Sequence, residues 1–118
     1  MNFVRKGEYL LVTRETGNQW NYLMVRLDDG HVGRPTCMRL ERPDSCSKRQ
    51  LAESEVVDAV LAGVSEANGR CGTRYRVSHI RYVADDSPPE SIYTYLASSL
   101  VERFHNGGEF RIGSPPET

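Results

Sequence analysis

Residues 75–104, YRVSHIRYVADDSPPESIYTYLASSLVERF, contain a strand and a helix joined by a short polar turn. The apolar alternation predicts a strand over 75–83, with Tyr75, Val77 and Val83 facing one way and Ile80 and Tyr82 the other. Ser87-Pro88-Pro89-Glu90 then starts a helix. The Ser87 hydroxyl can cap the N-terminus, Pro88 suits the first helical position because its missing N–H costs nothing there, and Glu90 completes a capping box. The helix extends to about Phe104, with Tyr93, Ala97, Leu100 and Phe104 on one face, Ile92 and Leu96 beside them, and Asn106-Gly107-Gly108 as its stop.

Upstream, Val57, Val60, Leu61 and Val64 fall at i, i+3, i+4 and i+7, which predicts a second amphipathic helix over 50–67, ended by Asn68-Gly69. Three strands precede it, over 8–15, 19–27 and 36–41, separated by turns at Gly17-Asn18 and Asp29-Gly30 and closed by Pro43-Asp44-Ser45. The imperfect alternation of 19–27 implies apolar contact on both faces near its middle, and Met38 and Leu40 share one side of 36–41. Residues 109–112 can add a short last strand. The order β-β-β-α-β-α-β predicts an α+β fold, a two-layer sandwich with a four- or five-stranded mixed sheet and two helices on one face. One domain is expected over 1–113, with 114–118 as a loose C-terminal tail.

A chain of 118 residues can bury one core, and 38% hydrophobic against 26% charged residues places it among globular rather than disordered sequences. No apolar run nears the roughly 20 residues of a membrane span, and residues 1–7 contain no apolar stretch of signal-peptide length. The expectation is a cytoplasmic protein with no membrane partner. The net charge of −1 gives no global basic field for nucleic acid, but residues 1–50 hold nine cations against six anions, and residues 51–118 hold six against ten. Only Lys6 and Lys48 are lysines. Arginine suits bidentate phosphate contacts, and a preference for arginine codons produces the same composition.

The chemistry-bearing residues are dispersed. His31, His79 and His105 lie in three different segments, and Cys37, Cys46 and Cys71 show no CxxC spacing, so no cofactor or metal is expected and the thiols read as free. Neither a Walker loop nor a dinucleotide-binding glycine pattern occurs, and Gly69-Arg70-Cys71-Gly72 reads as a helix stop. Cys46, between Ser45 and Ser47 and near Lys48, is the nearest thing to a nucleophile and lacks an identifiable base. Asp28-Asp29 and Asp85-Asp86 are consecutive, so on an extended chain their carboxylates diverge and form no shared-proton pair. The chain is therefore expected to bind rather than catalyse.

From Gln19 onward the chain resembles the fourth domain of translation elongation factor G, which has the fold of the second domain of ribosomal protein S5. Gln19-Trp20-Asn21-Tyr22-Leu23-Met24-Val25 is similar to that family's Gln-Tyr-Gly-x followed by an apolar strand. Gly72-Thr73-Arg74-Tyr75-Arg76-Val77-Ser78-His79-Ile80 resembles its Gly-Tyr-Pro-Val-x-Asp-Val strand opening, and Asp86-Ser87-Pro88-Pro89-Glu90 through Ala97-Ser98-Ser99 resembles its Asp-Ser-Ser-Glu helix start with Ala-Ala-Ser beyond. The family's Asp-Gly-Ser-Tyr/His tip loop is shortened here to Ala84-Asp85-Asp86, and Thr16-Gly17-Asn18 replaces its Gly-Ser-Gly. The resemblance implies the fold and a role by surface contact, without the translocation step that depends on a GTPase domain.

Two binding surfaces follow. Arg34, Arg39, Arg42, Lys48 and Arg49 form a basic segment suited to phosphate contacts with RNA or the ribosome. Trp20 and Tyr22 are candidates for stacking on unpaired bases or, alternatively, core residues, and alternating Arg76 and Ser78 suggest an open sheet surface. The rival partner is another protein. Tyr93 and Tyr95 lie two apart on one helix, so when one enters the core the other turns outward as an interface anchor.

Overall fold

A computed structural model describes residues 1–16, 19–28, 30, 33–40, 53–83 and 91–113, with the side chains of 15, 16, 19, 20 and 91 excepted. The strands are β1 (Asn2–Lys6), β2 (Tyr9–Thr16), β3 (Gln19–Leu27), β4 (Thr36–Leu40), β5 (Val77–Val83) and β6 (Arg111–Gly113), and the helices are α1 (Glu53–Cys71) and α2 (Ser91–His105). The expected β-β-β-α-β-α-β order is present and gains one strand, β1, at its start. The sheet thus has six strands rather than four or five, in the order β4-β5-β3-β2-β1-β6. β1, β2, β3 and β5 pair antiparallel in succession, while β4 joins β5 and β6 joins β1 in parallel.

β1 forms because both of its faces find apolar partners. Phe3 meets Phe110 edge-on at 6.0 Å, the Arg103 guanidinium lies 4.4 Å from the Phe3 ring centre, and Val4 packs against Leu11 on the opposite side. Gly7-Glu8 connects it to β2 with Lys6 opposite Tyr9. Gly7 has φ of 62° and Glu8 does not have positive φ, the signature of the II′ turn that matches strand twist and needs glycine first.

One face of the sheet carries the core. Leu10, Val12, Leu23, Val25, Val77, Ile80 and Tyr82 pack against Val56, Val57, Val60 and Val64 of α1 and Tyr93, Leu96, Ala97 and Leu100 of α2. Met24 faces the other way with Tyr9 and Leu11, so β3 does make apolar contact on both faces. β5 departs from simple alternation. His79 pairs with Arg26 and Val77 with Leu27, leaving Ser78 as a bulged residue. The extra residue turns Val77, Ile80 and Tyr82 all toward the helices, which overturns the expected division of that strand. Ser78 is buried there, its hydroxyl 2.8 Å from His79 Nδ1, so it lines no open surface.

α1 continues past Asn68-Gly69 to Cys71, and Gly72 at φ 68° is the residue that ends it. Asn68 instead clamps the chain that leaves the helix. Its Oδ1 accepts from the Thr73 hydroxyl at 2.9 Å and from the Tyr75 N–H at 3.0 Å, and its Nδ2 donates to the Tyr75 carbonyl at 3.0 Å. α2 ends where expected, with Gly107 at φ 70° and the Gly108 N–H donating to the Arg103 carbonyl at 2.9 Å. The cap at Ser87-Pro88-Pro89-Glu90, the turn at Gly17-Asn18 and the tail at 114–118 lie outside the described residues.

The helices touch at Gly63. A Cβ there would stand 2.2 Å from the Thr94 carbonyl oxygen and 3.0 Å from Ala97 Cβ, and the Thr94 hydroxyl donates to the Ala59 carbonyl at 2.9 Å. Arg70 at the end of α1 grips Glu102 of α2 with two bonds of 2.9 and 3.0 Å, which holds the Glu102 carboxyl below its ordinary pKa. Gly63→Ala would gain about 1 kcal/mol of helix propensity but must push a backbone apart, a cost of roughly 1–3 kcal/mol or more. We expect a lower urea midpoint with an unchanged slope; an unchanged or higher midpoint would mean the helices part freely. Cys37, half-buried on β4, has its thiol pushed up to about 12, first by burial and then by the Glu53 carboxylate. Alkylation followed by mass spectrometry at pH 8 should label Cys37 at least ~100-fold more slowly than a free cysteine, and labelling at the free-cysteine rate contradicts that environment.

Candidate nucleic-acid interface

The basic segment expected between residues 34 and 49 is only partly described. Arg34 and Arg39 are placed, whereas Arg42, Lys48 and Arg49 lie outside the described residues, as do Cys46 and His31. Arg34 Nη2 forms an ion pair with Asp58 Oδ1 of α1 at 3.0 Å. Arg39 is exposed on β4, opposite the core residue Tyr82 in register. Both arginines therefore belong to the helix-bearing side of the sheet.

Sheet register assembles a different surface on the other side. One row across five pairings runs Met38, Arg81, Met24, Leu11, Val4 and Arg111. The next runs Thr36, His79, Arg26, Tyr9, Lys6 and Gly113. Among the described residues no helix packs on this face. Its middle is apolar, with Tyr9, Leu11 and Met24 buried and Val4 and Tyr22 packed around them. Cations occupy both rows: Arg81, Arg26, Arg111 and Lys6. Glu8 offsets one of them, with Oε2 at 2.7 Å from Arg26 Nη2.

Arg81 organises the centre. Its guanidinium carbon lies 4.9 Å from the Tyr9 ring centre, a cation–π distance. It also acts on Tyr22, whose phenol pKa is raised by burial and pulled back in part by the Arg81 charge. His79 meets the Tyr9 ring edge-on at 6.3 Å. Tyr9 and Met24 are buried within this face, so the groups a planar ligand or an anion can reach are the half-buried Tyr22, the exposed Met38 and the guanidinium groups around them. Tyr22 thus lies on the helix-free face and outside the main core; the side chain of Trp20, two positions earlier, lies outside the described residues.

The signal for this face was present in parity alone. Tyr22 and Met24 alternate with Leu23 and Val25, and Met38 with Cys37 and Arg39, but no single strand reveals that Met24 and Met38 meet in one row with Arg81, with Tyr22 two residues along from Met24. On the helix side, Tyr93 is fully buried while Tyr95 is 49% exposed, with Arg14 at 6.0 Å from its ring, so the two tyrosines divide as their spacing predicts.

Among the described residues no group of three His, Cys, Asp or Glu could hold a metal ion, and no helix is long and apolar enough to cross a membrane. Asp28 is engaged in a turn, its Oδ1 accepting from the Gly30 N–H at 3.0 Å. No protein-family model matches the chain, and no curated protein matches it.

Proposed function

We propose that this chain is a stand-alone binding domain of the elongation factor G fourth-domain type, with an S5 second-domain-like fold, that contacts RNA or the ribosome through the helix-free face of its sheet. The observation that supports this most is the cross-strand row in which Arg81, flanked by Met38 and Met24, lies over Tyr9 beside Tyr22. Of these groups Tyr22 and Met38 are open to a ligand; an unpaired base stacks on an aromatic ring such as Tyr22 for about 1–3 kcal/mol, and phosphates beside it meet Arg26, Arg81 and Arg111. An enzymatic role has less support: the Ser78 hydroxyl that meets His79 Nδ1 at 2.8 Å is buried and also donates to the Arg26 carbonyl at 3.4 Å. One observation favours a second reading, a protein-interaction module: the exposed ring of Tyr95 on α2, on the opposite side of the molecule from Arg81.

Filter binding of single-stranded RNA at two salt concentrations separates these readings. Affinity should fall steeply with salt, Arg81→Ala should reduce the logarithmic salt slope by about 1, and Tyr22→Leu should weaken binding roughly 5- to 100-fold by removing one stacking ring. Arg39→Ala should have a smaller effect than Arg81→Ala. The reverse order would move the contact to the segment 34–49, and no binding at low salt would defeat the nucleic-acid reading. Recovery of one stoichiometric protein partner, lost in Tyr95→Ala, would favour the alternative.

A further inference from the structure

The bulge at Ser78 decides which side chains continue the helix-free face past the start of β5. Counting back from Arg81, an unbroken alternation would set His79, Val77 and Tyr75 on that face. The extra residue reverses the phase before His79. Val77 and Tyr75 turn to the helix side instead, where the Tyr75 and Phe104 ring centres lie 5.7 Å apart. Arg74 and Arg76 are thereby placed on the same side as Arg81 and His79, and both are exposed.

The two arginines stand on a fixed backbone. The Asn68 side-chain amide accepts from the Tyr75 N–H and donates to the Tyr75 carbonyl, each at 3.0 Å. One amide can take both groups only where they point the same way, as they do in an extended residue. The Thr73 N–H donates to the Asn68 carbonyl at 3.0 Å, and the Arg76 carbonyl accepts from the Asp28 N–H at 2.8 Å. Arg74 and Arg76 flank the extended Tyr75, so their Cα atoms are about 6.6 Å apart and their side chains leave on one side. They line a single hollow of about 470 Å³ together with Thr73 and Tyr75, and among the described residues no carboxylate lines it.

The charge balance of this hollow favours an anion. The nearest acid by backbone pairing is Asp28, opposite Arg76, and its Oδ1 already accepts from the Gly30 N–H. Arg76 has an interaction within the chain, whereas Arg74 has no ion-pair partner among the described residues. Two guanidinium groups against one carboxylate leave a positive balance, and their spacing lets both reach one tetrahedral oxyanion.

We infer that Arg74 and Arg76 form a phosphate site, occupied by a backbone phosphate of the strand held on the sheet face. The identity of the occupant rests on the nucleic-acid reading of that face. Arg81, His79, Arg76 and Arg74 follow one line roughly 20 Å long, so the contact surface runs along β5 and off the end of the sheet.

Binding of single-stranded oligouridylate and oligoadenylate to the full chain over a salt series tests the site. The double variant Arg74→Ala/Arg76→Ala should weaken both oligonucleotides alike, by roughly tenfold at low salt. It should reduce the logarithmic salt slope by about 0.7, the loss of one neutralised phosphate on a single strand. Arg74→Lys/Arg76→Lys should restore the slope, which a purely structural role would not do. Arg5→Ala, at the same end of the sheet but in register with the core residue Leu10, should change neither quantity. Inorganic phosphate added to the chain alone should move the side-chain Nε–H resonances of Arg74 and Arg76 and leave that of Arg5 in place. RNA binding with an unchanged slope in the double alanine variant, or an equal loss in Arg5→Ala, would overturn the inference while the sheet-face reading stands. Absence of RNA binding with the phosphate shifts intact defeats the sheet-face reading and the strand as occupant, and leaves the phosphate site supported. Absence of both defeats both.

Discussion

The contact at Gly63 sets how the molecule divides its surfaces. With no side chain at that position, α1 can lie directly against the Thr94 backbone, and the two helices act as one slab. Six strands at about 4.8 Å spacing make a sheet roughly 24 Å wide, and two helices, each about 10 Å across, suffice for one face of it. Among the described residues the other face has no helix to bury its apolar residues. It makes its own cover, with Arg81 and Tyr22 folding over Tyr9, Leu11 and Met24. The groups proposed here for recognition are thus the same groups that keep water off a second, smaller apolar cluster.

Much of the fold is local in origin and could be read from sequence for that reason. Both helices announce themselves through apolar spacing that packing then uses, and the division between Tyr93 and Tyr95 follows from helical geometry alone. The departures arise where a distant partner overrules a local pattern. Val77 and Ile80 look like opposite faces of a strand until Ser78 bulges out of register against Arg26, a choice that depends on β3. Asn68-Gly69 looks like a helix stop until Asn68 is seen to have three bonds waiting for it in the segment that follows. β1 has little to recommend it on its own, because Phe3 acquires its value from Phe110 and Arg103 at the far end of the chain. Its one local sign is the Gly7-Glu8 turn.

The candidate site was less legible than the fold. A run of arginines is visible in one dimension, and the run from Arg34 suggested an interface. A cross-strand row is visible only once the register of five strand pairs is known. Arg34 shows the difference: its charge is conspicuous in the sequence and already engaged with Asp58 on α1. Arg81, in the middle of a strand read mainly for its apolar residues, has the more consequential position.

The parallel pairing of β6 with β1 has a kinetic meaning. Val4 opposite Arg111 joins the first strand of the chain to the last. The loop that this pairing closes is nearly the whole polypeptide, so its entropic cost is offset only after the intervening strands and helices have assembled. β6 is also only three residues long, with Ile112 82% exposed. The edge therefore docks late in folding and opens first under stress. Its opening would remove Phe110 from Phe3 and loosen β1 before the helical slab is disturbed.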